Sequence, residues 1–240
     1  LCLFFSDYSS ALEKLVLGMS QDHLAAASKL VLEQAYAQLG IEIETRAWPS
    51  ERALTSSNYG ELDGEVIRIY QVGKLYTNLI IVPVPVNHFD AMVFTKRRDI
   101  VVDGWESLKP LSVLMRIGSK YAEFGTQGPN VRKLPSYEEV FHTLNNSRFD
   151  VAVSTRIIGT QEIKRLGLKD VLMIEPPLQS YELFHFLHRK YENLVPDIEF
   201  VLKNMARQGE INKILVGYSD TLNHIEPRAE ARTGVKGNGQ

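Results

Sequence analysis

The sequence predicts an α/β protein of two lobes, each a mostly parallel sheet flanked by helices, with two crossings between them. Three observations carry this expectation. From Leu15 to Ile69, strand-length apolar runs alternate with helix-length amphipathic stretches, the pattern of a parallel sheet covered on both faces. A second alternation opens at Leu111. Between the two lie the apolar runs Leu79 to Val86 and Ala91 to Lys96, and Ser180 to Lys190 returns later, so the chain is expected to pass between lobes twice.

Bulk composition narrows the class. With 240 residues, 44% hydrophobic and 23% charged, the chain has the makeup of a globular protein with a sizeable core. A net charge of -2 and the lack of a basic run with interleaved aromatics argue against nucleic acid as a partner. The longest apolar runs are too short to cross a bilayer and contain prolines. Residues 1–11 read as the end of a secretory signal: LCLFF is followed by Ser9, Ser10 and Ala11, small residues suited to a cut after Ala11. Export to the periplasm is the expectation. Such a cut removes Cys2, the one cysteine, and with it any disulfide framework or thiol nucleophile. Residues 219–240 read as a polar, disordered tail.

Taken in order, Leu15 to Leu17 with Gly18 form a short buried strand ending in a polar loop. Asp22 is placed to cap a helix carrying Leu24, Ala27, Val31, Ala35 and Leu39, which Gly40 ends. Ile41, Ile43 and Thr45 alternate with Glu42 and Glu44, a strand with one solvated face. Trp48-Pro49 closes it, and Ser50 is expected to cap the helix bearing Arg52 and Leu54. A polar turn then feeds the strand LDGEVIRI, which delivers Arg68 and Tyr70 to its far end, where ligands collect in open α/β sheets. Pro83 and Pro85 lack a donor, so their run is expected at an edge or in a crossing segment. LSVLMRIG, Leu111 to Gly118, is strand-like, and a helix follows from Lys120 to Phe124. Ser136 and Glu139 make a capping box for a helix through Val140, Phe141 and Leu144. Phe149 to Thr155 and Asp170 to Glu175 are further strands. Pro196 opens a helix through Ile198, Val201, Leu202 and Met205, and Ile211, Ile214 and Leu215 form a short last one.

The site candidates follow from chemistry. Arg68 offers a forked donor set suited to a carboxylate or phosphate, and Arg52, on the helix before it, reaches either the cleft or only its own helix end. His185 and His188 lie three apart on a strand and so point to opposite faces, which argues against a shared metal ion. Glu42 and Glu44 are explained as a solvated face, and His23 beside Asp22 as loop chemistry at a cap. No nucleophile elbow, phosphate loop, zinc signature or cofactor motif is present.

In order and spacing the chain resembles the bacterial extracellular solute-binding proteins of family 3, the polar amino-acid receptors of ABC transporters with the type II periplasmic binding protein fold. The carriers are KLVLG at Lys14 to Gly18, ERAL before the turn of Gly60, Asp63 and Gly64, and DGWESLKPLSV at Asp103 to Val113. RIGS at Arg116 to Ser119, FDVAVS at Phe149 to Ser154 and the ending HRKYENLVPDIEFVLKNMARQGEINKIL complete the set. The resemblance covers about Leu15 to Tyr218. It implies a lobe I of residues 12–87 plus 188–218, a lobe II of residues 95–178, and closure on a small-molecule ligand. It also implies a membrane ABC-transporter permease as partner, a monomeric receptor without cofactor, and no catalysis. A sensory ectodomain of the same fold, and an enzyme of that fold, are the alternatives.

By position the family's contacts fall on Gln21 and Asp22, on Arg68 and Tyr70, on Arg116, Gly118 and Ser119, and on Ser154 and Thr155. Gly118 permits close backbone approach, and free N–H groups at the following helix start favour an anion. Two departures stand out. The family's carboxylate-binding arginine is absent, leaving only Lys74 nearby, and the acid that receives the amino group falls at about Thr155. Arg68 and Arg116 instead face each other across the expected cleft, which points to an acidic or otherwise anion-bearing solute.

Overall fold

A computed structural model describes Leu12, residues 14–126, Gly128, residues 130–146 and residues 148–225. The expected signal remnant, residues 1–11, lies outside the described residues.

The alternating stretch folds as β1 (Lys14–Met19), α1 (His23–Ala37), β2 (Glu42–Ala47), α2 (Ser50–Tyr59) and β3 (Gly64–Ile69). β1 pairs in parallel with β2 on one side and β3 on the other. Asp22 caps α1, its Oδ1 accepting from the Ala25 N–H at 2.9 Å. α1 stops at Ala37, three residues before the expected Gly40, which instead holds a left-handed φ of 71° in the turn that follows. A short helix α3 (Val72–Leu75) follows β3.

The second alternation gives β5 (Val113–Arg116), α4 (Lys120–Gly125), β6 (Val131–Leu134), α5 (Tyr137–Asn146), β7 (Val151–Thr155) and α6 (Arg156–Leu166), with β5 parallel to both β6 and β7. Ser136 accepts from the Glu139 N–H at 3.1 Å, one half of the capping box expected there, and its hydroxyl donates to the Glu139 carboxylate in place of the box's backbone half.

Between these flanks run two strands of 17 residues each, β4 (Leu79–Thr95) and β8 (Leu172–His188). They are antiparallel to one another and to their other neighbours, and the eight strands form one sheet in the order β2-β1-β3-β8-β4-β7-β5-β6. Sequence patterning breaks each long strand into two pieces because register shifts interrupt the ladder around Pro85 and near Ala91. The prolines sit where β4 pairs with β8 alone, before β7 joins at Ala91, so a missing donor breaks no second ladder there. The chain therefore crosses twice, through adjacent strands. Helices α7 (Val195–Arg207) and α8 (Glu210–Ile225) then pack back on the first flank. α8 continues through Ile225, which corrects the expectation of a tail from residue 219.

The main core spans both flanks, from Leu15, Leu17, Val31 and Leu32 to Val113, Met115 and Val151, all buried. A second core forms under α5 from Phe94, Leu114, Val140, Phe141 and Leu144. α6 seats against it through Gly159, where a Cβ would lie 2.1 Å from the Phe94 ring.

Candidate functional site

A cavity of about 90 Å³ opens beyond the carboxyl ends of β1, β3, β5 and β7. Both flanks line it. The first contributes Ser20, Asp22, Leu24, Ser50, Ile67, Arg68, Ile69 and Val72; the second contributes Arg116, Gly118, Ser119, Lys120, Tyr121, Tyr137, Thr155 and Ile158. Phe89 of β4 and Leu183 of β8 form the floor between them. Six of the residues singled out from sequence are thus brought together: Asp22, Arg68, Arg116, Gly118, Ser119 and Thr155.

Arg68 does not enter with a free charge. Its Nε and one terminal nitrogen donate to the Glu65 Oε2 at 2.9 and 2.6 Å, and the other terminal nitrogen donates to the Ser50 Oγ at 2.6 Å. Glu65 is fully buried and also accepts from the Ser57 hydroxyl. Strict alternation would put residues three apart on opposite faces of β3. A register shift defeats it: Glu65 and Arg68 pair with Phe186 and Phe184, so three steps on β3 match two on β8 and both side chains share one face. Sequence reading missed Glu65. The signal was an acid and an arginine inside a strand that is otherwise apolar, hidden by the bulge. The expected helix cap at Ser50 is corrected too: Pro49 occupies the cap position without a side-chain bond, and the Ser50 hydroxyl serves Arg68.

Arg116 is different. Its guanidinium lies 4.8 Å over the Tyr137 ring, its buried Nε has no hydrogen-bond partner, and among the described residues it makes no ion pair. Lys120 is neutralised, held by Glu51 at 2.6 Å and Glu123 at 3.1 Å. Burial works against its charge, but these two carboxylates outweigh it and hold the ammonium above its ordinary pKa. Tyr121 is raised well above the usual phenol value, first by burial and then by the neighbouring Tyr137 hydroxyl, so it stays neutral. The Tyr137 hydroxyl lies 3.1 Å from the Ser119 Oγ.

At the start of α4 three of the N–H groups are already engaged. The Gly118 N–H donates to Glu123, and those of Ser119 and Lys120 donate to the Arg116 and Gly118 carbonyls. Gly118 instead serves approach between the flanks: at a φ of 77° it faces α2, and a Cβ there would lie 3.2 Å from the Ser50 Cβ and 3.3 Å from the Glu51 N. The Glu51–Lys120 ion pair and the Tyr76 hydroxyl bond to Glu51 at 2.6 Å close this contact.

The remaining candidates lie outside the cavity. Gln21 donates to the Ala47 carbonyl and borders neighbouring depressions that also reach Arg116. Arg52 stacks over Trp48 at 4.4 Å, the outward of its two expected positions. Tyr70 is exposed with its edge toward Phe184, and Lys74 sits on α3 away from the cavity wall. Ser154 is fully buried with an unpartnered hydroxyl and, next to Thr155 on β7, faces the other side of the sheet. Thr155, which does line the cavity, uses its hydroxyl to cap α6. Of the histidines, His185 is buried between the Tyr36 hydroxyl and the Glu65 carbonyl, both at 2.7 Å, while His188 lies beside Gly60.

No family model matches the chain. It is 25% identical over 193 residues to an uncharacterized protein of Shewanella oneidensis, a match covering 76% of this chain and 72% of that one. Three solved structures share the architecture. A histidine kinase sensor domain with similarity to periplasmic binding proteins aligns with a TM-score of 0.72 at 13% identity, over 87% of this chain and 96% of that one. The amino acid ABC transporter substrate-binding protein AbpA of Streptococcus pneumoniae, bound to L-arginine, gives 0.65 at 16%, covering 85% and 94%. The ancestral amino-acid-binding protein AncCDT-1, a precursor of cyclohexadienyl dehydratase, gives 0.64 at 15%, covering 85% and 95%. The fold is therefore that of the periplasmic binding proteins.

Proposed function

We propose that the chain is an extracytoplasmic solute-binding protein whose lobes, residues 12–87 plus 188–218 and residues 95–178, close on a small anionic or amino-acid-like solute. As a monomer it passes that solute to a membrane ABC-transporter permease and does not turn it over. One observation carries this reading: a cavity walled by both flanks of the sheet holds a guanidinium, that of Arg116, which makes no ion pair with a carboxylate among the described residues. Arg116 is half-buried with its Nε fully enclosed, and a partly desolvated cation without an ion pair favours an anion that supplies the missing charge. Gly118 against α2 and the Glu51–Lys120 pair are contacts that opening of the lobes would break. Among the described residues no helix is long and apolar enough to cross a membrane.

Isothermal titration of the purified chain against fractionated metabolite pools tests the reading, with small-angle scattering to follow compactness. A saturable heat with a smaller radius of gyration in the presence of ligand is expected. Absence of any saturable ligand, or slow conversion of the bound molecule into product, would sink it.

A second reading has its own support in the sensor-domain match at a TM-score of 0.72. In it the same lobes report solute occupancy to a signalling partner in place of a permease. Co-purification with a permease complex or with a kinase separates the two.

A further inference from the structure

We infer that the solute is a small monocarboxylate with an apolar body and no ammonium group. This rests on the binding reading above and names the class of molecule it serves.

Of the three cations lining the cavity, two are matched by carboxylates and the third is not. Arg68 is matched by Glu65 through two hydrogen bonds. Lys120 is matched by Glu51 and Glu123, and Glu123 also by Lys133. Asp22 is the one carboxylate lining the cavity, and its two oxygens are engaged by the Ser20 hydroxyl at 2.6 Å and the Ala25 N–H at 2.9 Å. Its charge sits at the positive end of α1, a helix of 15 residues. Thr155, on the far wall, accepts from the Ile158 N–H. Each Asp22 oxygen and the Thr155 hydroxyl thus already accepts a hydrogen bond from the protein, and the Asp22 charge is offset by the helix it caps, so an ammonium group would meet only partly engaged acceptors.

Arg116 stands alone on the positive side, with Ser119 and Tyr137 hydroxyls on the same wall to complete a carboxylate's hydrogen bonds. The rest of the wall is apolar: Leu24, Ile67, Ile69, Val72, Phe89 and Leu183. Its volume of about 90 Å³ is well below the roughly 300–1,000 Å³ of sites for larger ligands, so the apolar body is short. An α-amino acid of the same skeleton would bring a second cation beside Arg116, with Asp22, already engaged by Ser20 and Ala25, as the carboxylate on the wall among the described residues.

The test uses three molecules on one carbon skeleton, 4-methylpentanoate, 4-methyl-2-oxopentanoate and L-leucine, with 4-methylpentanamide as the uncharged control, each titrated calorimetrically into the purified chain. The two carboxylates are expected to bind, with L-leucine and the amide at least ~100-fold weaker. Arg116→Gln is expected to weaken the carboxylates by roughly 10–100-fold, and Arg116→Lys to recover part of that loss. The ligand-free melting temperature of each variant shows that it is folded.

L-leucine within tenfold of its 2-oxo counterpart would overturn the inference. So would leucine binding that Asp22→Asn abolishes and Arg116→Gln leaves intact, because Asp22 would then be receiving an ammonium group. Binding of a neutral or cationic solute from the metabolite pools, with neither carboxylate binding at millimolar concentration, overturns the class and leaves the receptor standing. If the pools also yield no ligand, the receptor reading falls with it.

Discussion

Glu65 and Arg68 are the residues whose replacement separates scaffold from site. Removing the carboxylate alone, as in Glu65→Gln, strands a buried guanidinium, and the expected loss is about 3–5 kcal/mol in chemical denaturation. The double replacement Glu65→Leu with Arg68→Met removes both charges and should recover most of it. Recovery with ligand binding retained would show that the pair supports the cavity without contacting the solute. His185 sets a pH limit on the fold. Burial pushes its pKa down to about 4 from 6.5, the Glu65 carbonyl opposing only in part. Between those values the unfolded chain binds a proton that the folded chain refuses. The contribution is therefore complete above pH 6.5 and is lost as pH falls toward 4, to about 3 kcal/mol at the limit. Denaturation midpoints at pH 7 and pH 5 should show the loss, and His185→Gln should flatten it. Residues acting through local geometry were legible in the sequence: Asp22 and the Ser136–Glu139 box cap their helices because capping needs only neighbours in the chain. Glu65 and the role of Ser50 were not, because each depends on a bulge or a partner strands away.

Among the elements, the loop from β5 to α4 carries the contact between flanks. Gly118→Ala adds a methyl group where φ is 77° and the Ser50 Cβ would lie 3.2 Å away. The expected effect is about 1–2 kcal/mol of strain, relieved by opening, so scattering should give a larger radius of gyration and titration a weaker ligand. Lys120→Met should act in the same direction by breaking the Glu51 pair, without backbone strain. On the far side, Gly159→Ala drives a methyl group into the Phe94 ring and should lower stability by about 1–3 kcal/mol without changing ligand affinity. Helices α4, α5 and α7 were found in sequence at nearly their observed limits, whereas α6 was not expected and α8 was expected as a short helix. β6 was not expected either, because Val131–Leu134 offers four residues of which two are charged. β4 and β8 were each read as two runs, since prolines and register shifts interrupt a pattern that the ladder itself carries through.

At the scale of the whole molecule, two alternating sets and a returning segment sufficed to anticipate both crossings. What composition and period could not give was their identity as one antiparallel pair at the centre of a single sheet, a relation between segments about a hundred positions apart. The standing of the two arginines lay in the same category: Arg68 and Arg116 looked equivalent as letters, and only the ion pair of the one and its absence from the other tell them apart.

The centre of the sheet has a topological corollary. His88 and Glu182 stand opposite each other on β4 and β8, and everything between them in the chain belongs to the farther flank. The farther flank is thus an excursion that leaves and re-enters through one doorway, much as a loop leaves a hairpin. Splicing His88 to Glu182 through Asn-Gly, the dipeptide favoured in two-residue hairpin turns, should yield a truncated chain with a cooperative melt and mixed helix and strand dichroism. A broad, uncooperative transition would mean that the nearer flank relies on its excursion to fold.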